Sequence, residues 1–266
     1  MEPPFERRVR LTLQYDGAGF FGWQVQPGVR TVQAEIEAVL SRLIDRPVRV
    51  AAAGRTDTGV HAVGQVVAAT VPERWTPPTL HRALNALLPG DIWVRDVREV
   101  PPDFDPRRHA VARGYVYRVG TSELASSPFH RRWCWPVRGR VNLESLAAAA
   151  ALLPGDHSFR AFAKTGQPER GDRCIIGRAE WLPWRDLGYA FHIVGNRFLH
   201  HMVRYLVGTM VEIAQGGRPA DDMRALLAGE DGYQTSPPAP ARGLFLARVE
   251  YPGDASTNAP LDSELP

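Results

Sequence analysis

The stretch RRVRLTLQYDGAGFFGWQVQP, residues 7–27, begins with a strand pattern and then breaks sharply. Apolar and polar residues alternate from Val9 to Tyr15, which is the period of a half-buried strand. Asp16 and Gly17 follow, and this dipeptide is a turn signal. The segment TVQAEIEAVLSRLI then has apolar residues at helical spacing behind Thr31, a residue typical of helix N-caps. The chain is therefore predicted to begin with a strand followed by a helix.

The elements up to about residue 100 complete the order strand, helix, strand, strand, helix, strand. The predicted strands are PVRVAAAG, GQVVAATV and DIWVRDVREV, and the predicted second helix is PPTLHRALNALL. After a linker, PPDFDPRRH, the order roughly recurs and ends with a long helix, NRFLHHMVRYLVGTMVEIAQGG, a short helix and the strand GLFLARVEY. We predict an α+β fold with an N-terminal half at 1–105, a C-terminal half at 106–250 and a flexible acidic tail at 251–266.

Composition indicates a globular protein and fits a nucleic-acid partner without requiring one. The chain has 266 residues, 44% of them hydrophobic, a net charge of +3 and a pI near 9.1. Lys164 is the single lysine among 32 basic side chains, and arginine is suited to binding phosphate, although biased codon usage explains most of this excess. No apolar run is as long as a membrane span, and Cys134 and Cys174 form no disulfide or zinc pattern. We expect a cytoplasmic protein without membrane contact.

The stretch AAGRTDTGVHAVGQV, residues 52–66, places one acid, Asp57, in a glycine-flanked turn. An aspartic protease would need a second D-T-G or D-S-G, which is not found in the sequence. An aspartyl-phosphate enzyme would need further acids close by, and there are none in this stretch. The structural alternative is that Asp57 caps the turn by accepting backbone N–H groups. For an isolated aspartate beside a glycine, this structural interpretation is the favoured one.

The sequence resembles the TruA family of tRNA pseudouridine synthases. GRTDTGVHA resembles the active-site motif of that family, and four further segments agree with its signatures in order: YDGAGFFGWQ, ARGYVY, NRFLHHMVRYLVG and ARGLFLARVEYP. Together these segments cover most of the chain. Three residues depart from the pattern: Thr58 where alanine is usual, Gly114 where arginine is frequent and Tyr205 where asparagine is common. None of them replaces the acid itself.

The resemblance implies an isomerase that converts uridine to pseudouridine at tRNA positions 38–40 in the anticodon stem-loop, without cofactor or metal. It assigns Asp57 as nucleophile or base, Arg204 as its charge partner and Tyr115 as the residue that stacks on uracil and is a candidate base. Arg55 would fill the gap left by the flipped nucleotide or hold a phosphate, and Leu244 would form an apolar wall of the pocket. It also implies a homodimer and two ferredoxin-like halves whose antiparallel sheets join around a basic cleft.

Several residues also have ordinary structural interpretations. Tyr115 fits a strand tyrosine, Leu244 fits a core leucine, and His61 is interpreted as a turn-stabilising histidine. On a continuous helix, His200 and His201 would point about 100° apart and could not share a metal. Two segments each allow two interpretations. The segment HRRWCWPVRGR (130–140) is either a base-stacking, phosphate-binding segment or a solvated basic hairpin. The segment 154–173 is either a surface loop or a binding loop. The alternative function is a non-catalytic RNA-binding module in which Asp57 only caps a turn.

Overall fold

The computed structural model describes residues 6–164, 171–254, 261–263 and 265–266. The chain forms two compact units. The first contains residues up to Val111 and a closing segment that starts at Leu246; the second contains Ala112–Phe245 and most of the described residues after 260. The boundary therefore follows Val111 instead of residue 105, and the closing segment belongs to the first unit instead of the C-terminal half.

The first unit has a β-α-β-β-α-β order. Its elements are β1 (Glu6–Tyr15), α1 (Val32–Ile44), β2 (Ala51–Ala52), β3 (His61–Pro72), α2 (Pro77–Leu87) and β4 (Ile92–Val100). The strands are antiparallel in the order β4-β1-β3-β2, which is ferredoxin-like. The predicted N-cap of α1 is confirmed, since Thr31 accepts a hydrogen bond from the backbone of Ala34.

The strand β2 is much shorter than the predicted PVRVAAAG segment. The backbone N–H of Val48 donates to Ser41 Oγ at 2.9 Å, and that of Val50 donates to Glu37 Oε1 at 3.1 Å. Both acceptors are side chains of α1. These N–H groups are therefore bonded to the helix instead of to a neighbouring strand, so the ladder begins only at Ala51.

The second unit repeats the strand, helix, strand pair, helix pattern. Its elements are β5 (Ala112–Gly120), β6 (Trp135–Pro136), α3 (Leu143–Ala150), β7 (Gly155–Ser158), β8 (Arg173–Trp184), β9 (Gly188–Gly195), α4 (Met202–Ala214) and α5 (Asp222–Ala228). The antiparallel order is β5-β9-β8-β7, and β6 runs parallel to β5. Part of the 154–173 segment is thus a strand, and its Phe159 and Phe162 are fully buried, while residues 165–170 lie outside the described chain.

The strand β10 (Leu244–Glu250) runs into the closing segment, and it lies beside β3. A side chain at Gly64 would meet the carbonyl oxygen of Ala247 at 2.2 Å, so only glycine permits this approach.

The predicted flexible tail is packed where it is described. The hydroxyl of Tyr251 donates to the carbonyl of Pro106 at 2.7 Å, and both Arg10 amino groups donate to the Asp254 carboxylate at 2.9 Å. Leu261 is also buried. The described residues of the tail thus have partners that are remote in sequence. Residues 255–260 and 264 are outside the described chain.

These elements confirm the predicted α+β class. Helices and mainly antiparallel strands occur in both units. Within the described residues, no helix combines the length and the apolar character that a membrane span requires.

Candidate active site

Asp57 lies in the turn between β2 and β3. The turn is closed at its base by the N–H of Ala53, which donates to the carbonyl of Val66 at 2.9 Å. At its tip the N–H of Val60 donates to the carbonyl of Asp57 at 3.1 Å, and Gly59 has a left-handed backbone with φ of 77°. Asp57 is half-buried. The backbone on both sides of the acid is therefore held by hydrogen bonds.

The segment YDGAGFFGWQ holds the same turn from the other side. The N–H of Trp23 donates to the carbonyl of Thr56 at 3.0 Å, and the N–H of Gly59 donates to the carbonyl of Phe20 at 3.3 Å. Gly22 lies between these bonds. A side chain at Gly22, whose φ is +87°, would stand 2.8 Å from the carbonyl oxygen of Thr56. Two motifs that are far apart in sequence thus form one rigid structure around Asp57.

A buried polar network fixes the residue next to the acid. The hydroxyls of Tyr15 and Thr56 share a hydrogen bond of 2.8 Å, and Thr56 is 6% exposed. Gln65, which is fully buried, donates from Nε2 to the carbonyl of Gly54 at 2.9 Å. Because buried polar groups are costly to leave unpaired, these bonds disfavour any other conformation of the turn.

His61 ties the start of β3 to the same signature. The N–H of Gly17 donates to its Nδ1 at 3.0 Å, and the ring is 1% exposed. A side chain at Gly17 would lie 2.0 Å from the carbonyl oxygen of Val60, so the backbones approach too closely for any other residue. His61 therefore acts in this structure as the turn-stabilising histidine of the sequence-based interpretation.

Two exposed side chains flank the turn. Arg55 is exposed, and no hydrogen bond or ion pair of its guanidinium is found among the described residues. Phe21, between two residues that contact the turn, is 54% exposed. Sequence reasoning selected Arg55 but missed Phe21. The signal for Phe21 was present in its position inside the YDGAGFFGWQ segment.

Tyr115 lies on β5 in the second unit. It is opposite Ile193 of β9, and its ring meets the ring of Phe198 edge-on, with centroids 4.9 Å apart and an interplanar angle of 77°. Tyr115 is half-buried, in contrast to Tyr117 two residues later, which is fully buried. Its ring is thus supported by Phe198 and still partly open, which fits both a strand tyrosine and a residue that stacks on a base.

Arg204 belongs to the first turn of α4, and the chain segment 236–242 anchors it. Its Nε donates to the carbonyl of Ala239 at 2.7 Å, and its own carbonyl accepts from the N–H of Ala239 at 2.9 Å. The hydroxyl of Tyr117 donates to the carbonyl of Pro240 at 2.7 Å in the same segment. Burial raises the pKa of Tyr117 well above its usual value, so this phenol remains a donor at neutral pH.

The long helix starts later than predicted, and this changes the histidine pair. α4 begins at Met202, because His201 has a left-handed backbone with φ of 65°. The ring centroids of His200 and His201 are 4.1 Å apart. The expectation that the two rings diverge on a continuous helix was therefore wrong.

Leu244 begins β10 and is 6% exposed. Its burial fits both a core leucine and an apolar wall, so the assignment as a wall stays a prediction.

The chain is similar in sequence to known proteins over most of its length. The tRNA pseudouridine synthase family model matches residues 12–107 and 149–252. The tRNA pseudouridine synthase A of Myxococcus xanthus is 41% identical over 245 residues, which is 92% of each chain. The protein of the same name from Geobacillus kaustophilus is 41% identical over 96% of this chain and 99% of that one.

The chain belongs to the tRNA pseudouridine synthase family. The matched ranges contain Asp57, Arg55, Arg204 and Leu244, whereas Tyr115 lies in the stretch between them. They also contain Tyr15, Gly22 and Thr56, the residues around the turn that sequence reasoning did not select. Their contribution becomes visible only when the two segments are brought together.

Gly22 offers a test of the rigid turn. Gly22→Ala should lower stability by about 1–3 kcal/mol from its positive φ, and the contact with Thr56 should also displace the acid and reduce turnover. Gly28→Ala is a matched control, since Gly28 also has a positive φ but has nothing within 4 Å of an added side chain. Thermal unfolding and single-turnover rates should separate the two effects. Equal turnover in both variants would contradict the importance of this contact.

Proposed function

We propose that this protein isomerises uridine to pseudouridine in tRNA, at positions 38–40 of the anticodon stem-loop. The observation that carries the proposal is the single acid, Asp57, held in a turn by hydrogen bonds from both sides in a chain of this family. An acid that only capped a turn would not need its neighbours anchored by a second motif. The proposed site is completed by Arg204, Tyr115, Arg55 and Leu244.

The reaction suits a single carboxylate. The bond between uracil N1 and ribose C1′ breaks, the base turns, and C1′ joins C5, whose proton is lost while N1 gains one. Glycoside hydrolysis generally uses two carboxylates, one of them to protonate the leaving group. Uracil leaves as an anion whose charge is spread over two carbonyl oxygens, so a separate acid is less necessary. Asp57 would act either as nucleophile at C1′ or as base toward a sugar proton.

Arg204 would balance the charge of Asp57 and orient its carboxylate. A carboxylate in a site without water needs a compensating charge, and arginine can hold both carboxylate oxygens through its planar fork. The anchoring of the Arg204 backbone and Nε to Ala239 supports this role, because it restricts where the guanidinium can point.

The other residues would bind the nucleotide. Tyr115 would stack on the extruded uracil, for which its partly open and edge-supported ring is suited, and it is also a candidate base for the C5 proton. Exposed Arg55 would take a phosphate or the space left by the flipped base. Leu244 would contribute an apolar wall.

One assay separates this function from its alternative. A non-catalytic RNA-binding module would bind tRNA but release no tritium from tRNA that carries 5-tritiated uridine. We expect release, with the label lost from positions 38–40. Binding without release would support the alternative. A cytoplasmic homodimer is part of the same proposal, and light scattering of the purified protein tests the dimer.

We also expect turnover to be independent of metal, because the isomerisation requires neither electrons nor an added group. Excess EDTA should leave the rate unchanged when tRNA folding is held constant with a cation that EDTA does not bind. The rings of His200 and His201 lie close together, although the sequence predicted that they would diverge. The structure therefore gives a specific reason to make this measurement. A loss of activity that only Zn²⁺ restores would contradict the expectation and direct attention to that pair.

A further inference from the structure

The second unit carries a run of positive charge without acids. We call residues 127–140 the basic strip; its sequence is SPFHRRWCWPVRGR. It contains four arginines and no aspartate or glutamate, and all four arginines are exposed: Arg131, Arg132, Arg138 and Arg140. The strip lies between the two ranges that match the family model. The strip also contains none of the residues assigned to the candidate active site.

The backbone of the strip is held in place. The carbonyl of Ser127 accepts from the N–H of Arg131 at 2.8 Å, and Cys134 is fully buried. β6 pairs in parallel with β5, and Gln215 Nε2 donates to the carbonyl of Arg138 at 2.6 Å. The predicted basic hairpin is thus wrong, because β6 pairs with a remote strand. The arginines extend from an ordered support.

An unusually open aromatic ring lies among these charges. Phe129 is 85% exposed, more than the other large apolar residues that are exposed in the described chain. Trp133 is different, since its ring packs near Phe245 with centroids 6.3 Å apart and Arg132 lies over it at 5.3 Å. Leaving a phenyl ring in water forgoes the favourable free energy of burying it. Such a ring beside cations is suited to a partner that offers both flat apolar faces and negative charge.

Within the described residues, three of the four arginines of the strip have no acid partner, unlike other arginines of this unit. Arg173 bonds to Asp156 at 3.2 Å, and Arg218 bonds to Asp222 at 2.7 Å. In the part of the chain that the structure describes, Arg131, Arg138 and Arg140 have no ion pair. Their charge is directed to solvent, where it can meet an anionic partner without breaking an existing pair.

We propose that the basic strip is a second RNA-contact surface, at which the arginines bind tRNA backbone phosphates and Phe129 stacks on an unpaired base. The inference rests on the proposed function for the identity of the RNA. Nucleic acid combines regularly spaced phosphates with flat apolar bases, which is the chemistry that an arginine cluster with one open aromatic ring recognises. A second copy of this chain is a less suitable partner for these cations, because its own net charge is +3. The strip should affect tRNA affinity and not the chemical step.

The test compares two strip variants with a matched control in the full-length protein. The variants are Phe129→Ala and the double change Arg138→Gln with Arg140→Gln. The control is Arg173→Gln with Arg224→Gln, which removes two exposed arginines of the same unit. Binding of tRNA is measured by anisotropy over a range of salt, and single-turnover tritium release is measured with saturating tRNA. All these positions are exposed, and thermal unfolding checks the fold.

For Phe129→Ala we expect the Kd for tRNA to rise by about tenfold or more from the loss of stacking. The double arginine variant should bind more weakly, and its salt slope should fall by about 0.7–0.9 for each phosphate that is no longer neutralised. The single-turnover rate should stay within about twofold of wild type, since phosphate contacts fix the position of the RNA and do not act on the reacting bond. The control should match wild type in both measurements.

Two results would overturn the inference. One is an unchanged Kd and salt slope in both strip variants. The other is a shift of the oligomeric state of Phe129→Ala in light scattering with unchanged tRNA binding, which would make the strip a protein interface. Failure of the proposed function looks different, since the wild-type protein would then release no tritium whatever the strip variants do to binding.

Discussion

Asp57→Ala is expected to abolish turnover while leaving tRNA bound. As the single proposed catalytic carboxylate, Asp57 has no substitute, so the single-turnover rate should fall by about 10³-fold or more. Affinity should stay within a few-fold, because phosphate contacts elsewhere supply most of the binding free energy. Tritium release and anisotropy on the same preparation provide both measurements.

Two further variants control for shape and position. Asp57→Asn keeps the size of the side chain but cannot act as nucleophile or base, so it should be as inactive as alanine. Thr58→Ala changes the exposed neighbour and should retain nearly full activity. Substantial turnover by Asp57→Asn would remove the acid from the chemistry and return it to the role of a turn cap.

Arg204→Lys is expected to reduce turnover strongly although the charge is kept. Lysine offers a compact charge on a flexible stem, whereas the arginine fork can hold both oxygens of a carboxylate. The change also removes the Nε bond to Ala239. Tyr117→Phe is the matched control for that bond, because it removes the hydrogen bond to Pro240 in the same segment. Equal losses in the two variants would make Arg204 a structural residue.

Arg204→Ala should lower the single-turnover rate with saturating tRNA, because it removes the positive charge that the proposal places beside the carboxylate of Asp57. The measurements are the single-turnover rate and, separately, tRNA affinity by anisotropy. If Arg204 instead faced solvent or a tRNA phosphate, binding would weaken and the rate with saturating tRNA would not change. An intact rate would reject the pairing with Asp57.

Elements with a strong local signal were predictable from the sequence. The helix α1 follows directly from apolar residues at helical spacing behind Thr31, and the structure places the cap at that residue. The helix α2 likewise lies within the segment PPTLHRALNALL, which was predicted as a helix that begins at proline. In these cases the residues that decide the conformation are close neighbours along the chain.

Other elements depended on contacts that sequence patterns do not encode. β2 is short because side chains of α1 take the N–H groups of Val48 and Val50. α4 starts late because His201 adopts a left-handed backbone, which periodicity cannot reveal. The tail was predicted to be flexible, and the described part of it has partners, since Arg10 bonds to Asp254 and Pro106 accepts from Tyr251. The packed tail comes from partners that are remote in sequence, and the short β2 comes from side chains of the preceding helix that take its backbone donors.

The sequence by itself determined the α+β class, the candidate acid and the family resemblance, since these depend on local periodicity and on residues within short motifs. Only the tertiary structure decided how Asp57 is held. Its turn is fixed by Tyr15, Gly22 and Trp23, which belong to a separate motif much earlier in the chain. The physical reason is that backbone donors and acceptors in a turn must be satisfied, and folding chooses which distant groups satisfy them.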